Sequence, residues 1–310
     1  MSLIVRQAQG DTSMDATSGV PMETPPRLWF DGTLVAADSP CAPLTTHALH
    51  YGSGVFEGIR SYATVDGGAA VFRLPEHLER MCKGAALLGI PFDIAEATQA
   101  TLDVLRANRN GDAYIRPLVW CGTGSIGLDV APLSKHLMVA TFPTGVHLAS
   151  GNVKLGVSSW RRNPATSLPP LKLCGAYVNS ILAKAEAKAR SFDEALFVDE
   201  GSGVVECTGA NVFMVKDGRI IAVEHADALP SITRDTLLTL TEATSRLVSL
   251  EELRDADEVF VCGTAAEVTS IAELDGRRFE GSAVGAEIAR MYQCIVRGED
   301  ARHRDWLTHV

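Results

Sequence analysis

Along this chain the hydrophobic positions change period again and again, and each change marks the edge of a predicted element. From residue 27 the β-type runs RLWFDGTLV, AAVFRL, AYIRPLVWC and HLMVATFP alternate with stretches of helical spacing. In PEHLERMCKGAALLG, residues Leu78, Met81, Cys82 and Ala85 stand at i, i+3, i+4 and i+7, which predicts an apolar helix stripe that Gly89 can terminate. A second helix is predicted after Asp93, with Ile94, Ala97, Thr101, Val104 and Leu105 on one side and Gly111 beyond its end. The run TGVHLASGN has no strong pattern and the composition of a connection. A second set of strands follows it: VKLGVSSW, EALFVD, ANVFMV, RIIAV, DEVFVCG and EVTSIAEL. Its predicted helices are AYVNSILAKAEAKAR with Val178, Ile181, Leu182 and Ala185 inward, a segment starting near Thr233, and VGAEIARMYQCIVRG with Ile288, Met291, Tyr292 and Ile295 inward. The DG pair in ANVFMVKDGRIIAV predicts an antiparallel hairpin, so this half is not a simple doubly wound sheet.

Two α/β domains are therefore expected. Residues 1–26, rich in small polar residues and prolines, read as a flexible tail; 27–143 form a small α/β domain, 144–152 the connection and 153–310 a larger domain. With 46% hydrophobic residues, the 310-residue chain can bury a sizeable core. A formal net charge of −10 argues against nucleic acid or an anionic membrane as a partner and leaves a small molecule. The seven cysteines are scattered and never form C-x-x-C, which suggests reduced thiols and neither a disulfide framework nor a zinc site. No basic segment precedes an apolar core at the start, and no apolar run approaches the ~20 residues that span a bilayer, so a cytoplasmic location is expected.

The candidate chemistry centres on SLPPLKLCGAY. Lys172 lies between two leucines, behind two prolines and ahead of a helix, whereas Lys184 and Lys188 lie on the polar side of that helix. Apolar surroundings disfavour an ammonium and leave more free amine, the form that attacks a carbonyl. The plain alternative is a loop lysine whose stem covers its leucines while the amine reaches water. Glu206 in VVECTGANVF is a carboxylate among β-type apolar residues, and a buried acid needs a partner. A protonated ring nitrogen would serve; so would a turn or a structural ion pair. LPSITRD leads into a helix whose Ile232 and Thr233 amides can face an anion, and VCGTAAE ends a strand in a Gly-Thr-Ala turn of similar capacity.

With HALHYGSGVFEGIRSY, AYIRPL, ECTGANVF, LPSITRD and VFVCGTAAE in order from about residue 27 to the C-terminus, the chain closely resembles the branched-chain amino acid aminotransferases. These are fold-type IV pyridoxal-phosphate enzymes, so the resemblance implies a small α/β domain beside a larger one with a mixed, partly antiparallel, barrel-like sheet. It implies transamination between L-leucine, isoleucine or valine and 2-oxoglutarate by a ping-pong route. Lys172 matches the Schiff-base lysine and general base, Glu206 the partner of the pyridine nitrogen, and Tyr177 the tyrosine near the cofactor's phenolic oxygen. Arg80, Ile232, Thr233 and Thr264 match phosphate-binding positions, and Leu229 the residue that packs on the ring. On the substrate side, Tyr114 and the Thr264-Ala265 turn match the α-carboxylate site and Arg60 the support of Tyr114. Arg116 matches the site of a distal carboxylate, and Tyr51 and Phe56 the apolar pocket. A homodimer or higher homo-oligomer is implied as well.

Two points pull against the match. Arg80 lies at ~200° from Leu78 on a helical wheel, which by itself reads as an exposed arginine pairing with Glu76; only a cleft faced by the second domain reconciles it with a phosphate. Thr144, His147, Leu173 and Cys174 stand where some members carry aromatic or glycine residues, which bears on the substrate range. A D-amino acid or (R)-amine transaminase and an aminodeoxychorismate lyase share the lysine and the acid. A non-catalytic small-molecule binding protein is the reading from outside the class.

Overall fold

A computed structural model describes residues 26–143 and 153–310, so the expected connection, with Thr144 and His147, and all but the last residue of the expected tail lie outside the described residues. The first eight-stranded sheet is antiparallel throughout. Its central strand Ala113–Cys121 pairs with Lys135–Pro143 on one side and with Ile59–Ala63 and Gly54–Phe56 on the other. Helices Leu74–Leu87 and Ile94–Asn108 cover one face, burying Leu78, Val104 and Leu105 against Ile115 and Val139. The predicted stripes face the core, with Cys82 and Ile94 only half-buried. Asp93 caps the second helix, accepting from the Ala95 and Glu96 amides at 2.8 and 3.2 Å.

The second sheet has nine strands and is mixed. Val153–Val157 runs parallel to both of its neighbours, Glu194–Val198 and Glu267–Leu274, while the pairings of Asn211–Lys216 with Arg219–Val223 and Glu258–Gly263 are antiparallel. The edge strand Val204–Cys207 lies five places from Asn211–Lys216 in the strand order, although only residues 208–210 join them. So short a link makes the sheet curl into an open barrel. The expected hairpin closes through Asp217 and Gly218 at φ 50° and 72°, both positive as a type I′ turn requires.

Helix Tyr177–Ala189 turns its apolar stripe the other way from the prediction. Val178 (56% exposed), Ile181 (63%), Leu182 and Ala185 face outward, while Ser180, Ala183 and Ala187 are buried. Ala183 and Ala187 pack on Ala195 and Phe197; these small side chains let the helix lie close on its sheet. The chain then ends in a strand absent from the sequence reading, Leu307–His309, which pairs with Ala69–Phe72 of the first sheet. One core cluster crosses both halves, uniting Tyr62, Ala70 and Phe72 with Phe213, Phe260 and Tyr292. Among the described residues no helix is long and apolar enough to cross a membrane.

Candidate active site

A cavity of about 540 Å³ opens between the two sheets, and Lys172 and Glu206 both line it. Lys172 is held there by its backbone. Its carbonyl accepts from the Phe56 amide at 3.2 Å, Leu173 bridges to Val55, and the Gly175 amide donates to the Gly52 carbonyl at 3.2 Å. The proline-marked approach is thereby stitched to the first sheet. Lys172 Nζ donates to the Tyr177 hydroxyl at 2.8 Å and lies 5.2 Å from the centres of the Phe56 and Tyr177 rings.

Glu206 is buried in the second sheet. Its Oε1 meets Arg162 Nε at 2.7 Å, and its Oε2 accepts from the Leu229 amide at 3.1 Å and Asn211 Nδ2 at 3.4 Å. Burial pushes the carboxyl above its ordinary 4.5, against the nearby Arg162 charge. The partner that a buried acid needs is thus a structural ion pair in the chain itself. Arg162 was missed in the sequence because RRNPATSLPP carries no period from which an inward side chain could be read.

At the other end stands a second buried pair. Glu57, with 0% of its surface exposed, accepts from Arg80 Nε at 2.7 Å and Nη2 at 2.9 Å, from the Gly58 amide at 3.2 Å and from His77 Nδ1 at 2.9 Å. Burial would raise this carboxyl, but the Arg80 guanidinium and His77 outweigh burial and hold it well below 4.5. Burial in turn depresses the His77 imidazole, so the ring is neutral near pH 7 and carries its proton on Nδ1, facing an oxygen that only accepts. Arg80 is mostly buried and lines the cavity, and its Nη1 donates across the cleft to the Pro230 carbonyl at 2.7 Å. The second half does face that helix side. Glu76 pairs with Arg73 at 2.7 Å, in place of the exposed Glu76–Arg80 pair that the wheel suggested. Glu57 carried a readable signal, a carboxylate between apolar positions of FEGIR, as Glu206 does in its own strand.

Next to Pro230, Ser231 caps helix Ile232–Leu240, its hydroxyl accepting from the Arg234 amide at 3.2 Å. Ser231 and Ile232 line the cavity; Thr233 is buried in the same turn. Leu229 and the Gly263-Thr264-Ala265 turn complete that wall.

The first sheet closes the opposite wall. Tyr114, Arg116 and Leu118 alternate with buried Ala113, Ile115 and Val119 along one strand, so all three face the cavity. Arg116 Nη2 donates to the Tyr114 hydroxyl at 2.9 Å, and its guanidinium lies 4.7 Å from the Phe56 ring centre. Gly58 must be glycine, since a Cβ there would stand 2.1 Å from the Tyr114 hydroxyl. Arg60 lies opposite Tyr114 in the ladder and pairs with Glu267 at 3.0 Å, outside the cavity lining. Tyr51 is also outside it; half exposed, it donates to the Ile126 carbonyl at 2.9 Å.

The amino-transferase class IV family matches residues 54–274, a span that contains both walls of this cavity. The chain belongs to the class IV aminotransferases. It is 37% identical over 298 residues to the branched-chain-amino-acid aminotransferase of Pseudomonas aeruginosa, covering 91% of this chain and 97% of that one. Against the enzyme of the same name from Escherichia coli K12 the identity is 35%, over 91% and 97%. Among solved structures, the branched-chain amino acid aminotransferase from Thermobaculum terrenum in its PLP-bound holo-form superposes with a TM-score of 0.85 at 33% identity, over 93% of this chain and 99% of that one. The branched-chain aminotransferase of Thermoproteus uzoniensis with norvaline gives a TM-score of 0.88 at 36% identity, over 91% and 98%. The two-sheet α/β architecture expected from the resemblance is therefore the family's fold, fold type IV.

Proposed function

We propose that this protein transfers the amino group of L-leucine, isoleucine or valine to 2-oxoglutarate by a ping-pong route, with pyridoxal 5'-phosphate as cofactor. One observation carries the reading: Lys172 and Glu206 line a single cavity, the lysine amine bonded to a tyrosine hydroxyl at 2.8 Å. The donor set fits the cofactor at three points. There is an amine beside a phenol, a buried carboxylate whose ionisation a ring N–H would favour, and a seat for a phosphate made of Arg80 and the first turn of helix Ile232–Leu240. Pyridoxal 5'-phosphate supplies an aldehyde that condenses with amines and a ring that draws electrons from the substrate α-carbon.

The chain's own residues do the rest. With the cofactor bound, Lys172 Nζ would act as the general base that takes the proton from the substrate α-carbon and, once protonated, as the general acid that gives it up again. Tyr177 orients that amine, and Glu206 would keep a proton on the cofactor's ring nitrogen. Leu229 would pack on the ring, while Arg80, Ile232, Thr233 and Thr264 would hold the phosphate. Tyr114, braced by Arg60, and the Thr264-Ala265 turn receive the α-carboxylate. Phe56 shapes the apolar pocket, and Arg116 takes the distal carboxylate of 2-oxoglutarate in the second half of the cycle. A lobe of residues 27–143, joined by 144–152 to one of 153–310 whose last strand returns to the first sheet, suits a cleft enzyme of this kind. The apolar stripe of Val178, Ile181 and Leu182 beside the cavity supports a homodimer or higher homo-oligomer, and seven free cysteines suit the cytoplasm.

The test is a donor screen. L-leucine, L-isoleucine and L-valine with 2-oxoglutarate should each yield glutamate and the matching 2-oxo acid, with no turnover of the D-forms. Turnover of D-alanine with no turnover of L-leucine would overturn the substrate assignment.

A further inference from the structure

Arg73 opens the helix that carries Arg80, and it does so in the left-handed region at φ 49°, a conformation that a non-glycine side chain rarely adopts. Its amide donates to the Trp306 carbonyl at 2.7 Å, and its guanidinium lies 5.3 Å from the Trp306 ring centre. From that fixed base the largely buried side chain reaches across to helix Ile232–Leu240. Nη1 donates to Asp235 Oδ2 at 2.6 Å, to Thr236 Oγ1 at 3.1 Å and to the Ile232 carbonyl at 3.4 Å, while Nε is held by Glu76 at 2.7 Å. Thr236 in turn donates to the same Ile232 carbonyl at 2.9 Å.

Arg73 and Arg80 stand seven residues apart, about two helical turns, and so address the same side. Arg80 grips the Pro230 carbonyl just before the helix cap, and Arg73 grips the turn just after it. The two differ in where they stand: Arg80 lines the cavity, whereas Arg73 lies outside the lining and spends its Nε and Nη1 on protein groups.

We propose that Arg73 is a positioning residue, locking the first turn of helix Ile232–Leu240 against the helix of Arg80 so that the turn's amides and the Arg80 guanidinium meet a phosphate group at a fixed spacing. This rests on the reading of that turn as the cofactor's phosphate seat. A lysine replaces the fork only in part, because its single nitrogen cannot stand at both of the separated donor positions, Nε toward Glu76 and Nη1 toward Asp235.

Pyridoxal, which lacks the phosphate, separates a clamp from general damage. Cofactor-free wild-type and Arg73→Ala enzymes are titrated with pyridoxal 5'-phosphate and with pyridoxal, following absorbance and borohydride trapping at Lys172. Affinity for the phosphate ester should fall about tenfold or more in Arg73→Ala, the scale of one lost charge-assisted contact, while affinity for pyridoxal stays as in wild type. Arg73→Lys should recover only part of the loss. Asp235→Asn, altering a mostly exposed side chain, should shift the same ratio in the same direction even if Arg73→Ala folds poorly. Equal loss for both ligands, no loss for either, or full recovery with lysine would overturn the clamp. A wild-type protein that traps neither ligand at Lys172 would bring down the cofactor reading itself, and the clamp with it.

Discussion

The cavity is bounded by two buried carboxylate–arginine pairs, and they are built to opposite ends. Glu57 receives Nε and Nη2 of Arg80, a histidine and an amide, so its negative charge is well satisfied and its carboxyl is driven down. Glu206 has a single 2.7 Å contact with Arg162 and weaker donors on its other oxygen, so burial wins and its carboxyl rises. The first pair fixes a cation in place. The second leaves an acid whose charge still depends on what arrives beside it. The same residue types thus yield a permanent anchor or a proton-sensitive partner, according to how many donors surround the carboxylate.

The largest expected effect breaks the chemistry at the second pair. Glu206→Gln keeps the size of the side chain but cannot be charged, and should slow the single-turnover reaction with L-leucine by on the order of 10²-fold or more. An unchanged rate, measured by stopped-flow absorbance, would remove Glu206 from the site. Glu57→Gln should act on stability instead. Weakening a buried pair from one side costs up to about 3–5 kcal/mol, so urea unfolding of the cofactor-free variant should shift sharply downward.

The two carboxylates should also answer pH with opposite signs. For Glu57 the folded value lies below the ordinary 4.5, so its contribution to stability is present above 4.5 and is lost as pH falls toward the folded value. For Glu206 the folded value lies above 4.5, so its contribution is present below 4.5 and is lost as pH rises through the folded value. Unfolding free energies over an acid-to-neutral series should show wild type gaining on Glu206→Gln toward acid while its lead over Glu57→Gln narrows. Parallel trends would erase the contrast. The smallest effect is on Arg162→Met, where loss of the guanidinium should raise the Glu206 carboxyl further; a carboxyl-carbon NMR titration reads it directly.

What the sequence revealed follows from the range of the forces involved. The DG hairpin at Asp217-Gly218 and the cap at Asp93 are settled by residues a few positions apart, and both were legible. Alternation in AYIRPL put Tyr114 and Arg116 on one face, as found. In helix Tyr177–Ala189 the period was right and the direction wrong, because periodicity finds a stripe without saying what covers it. Arg162 comes from an irregular segment and Leu307–His309 pairs with a strand more than two hundred residues away, so neither left a local trace.

The central claim is that Lys172 forms the covalent link to the cofactor. Holoenzyme reduced with borohydride, digested and mapped by mass spectrometry should carry the phosphopyridoxyl group on the peptide containing Lys172 and nowhere else. Label on another lysine, or a reduced protein with no label at all, would contradict the account.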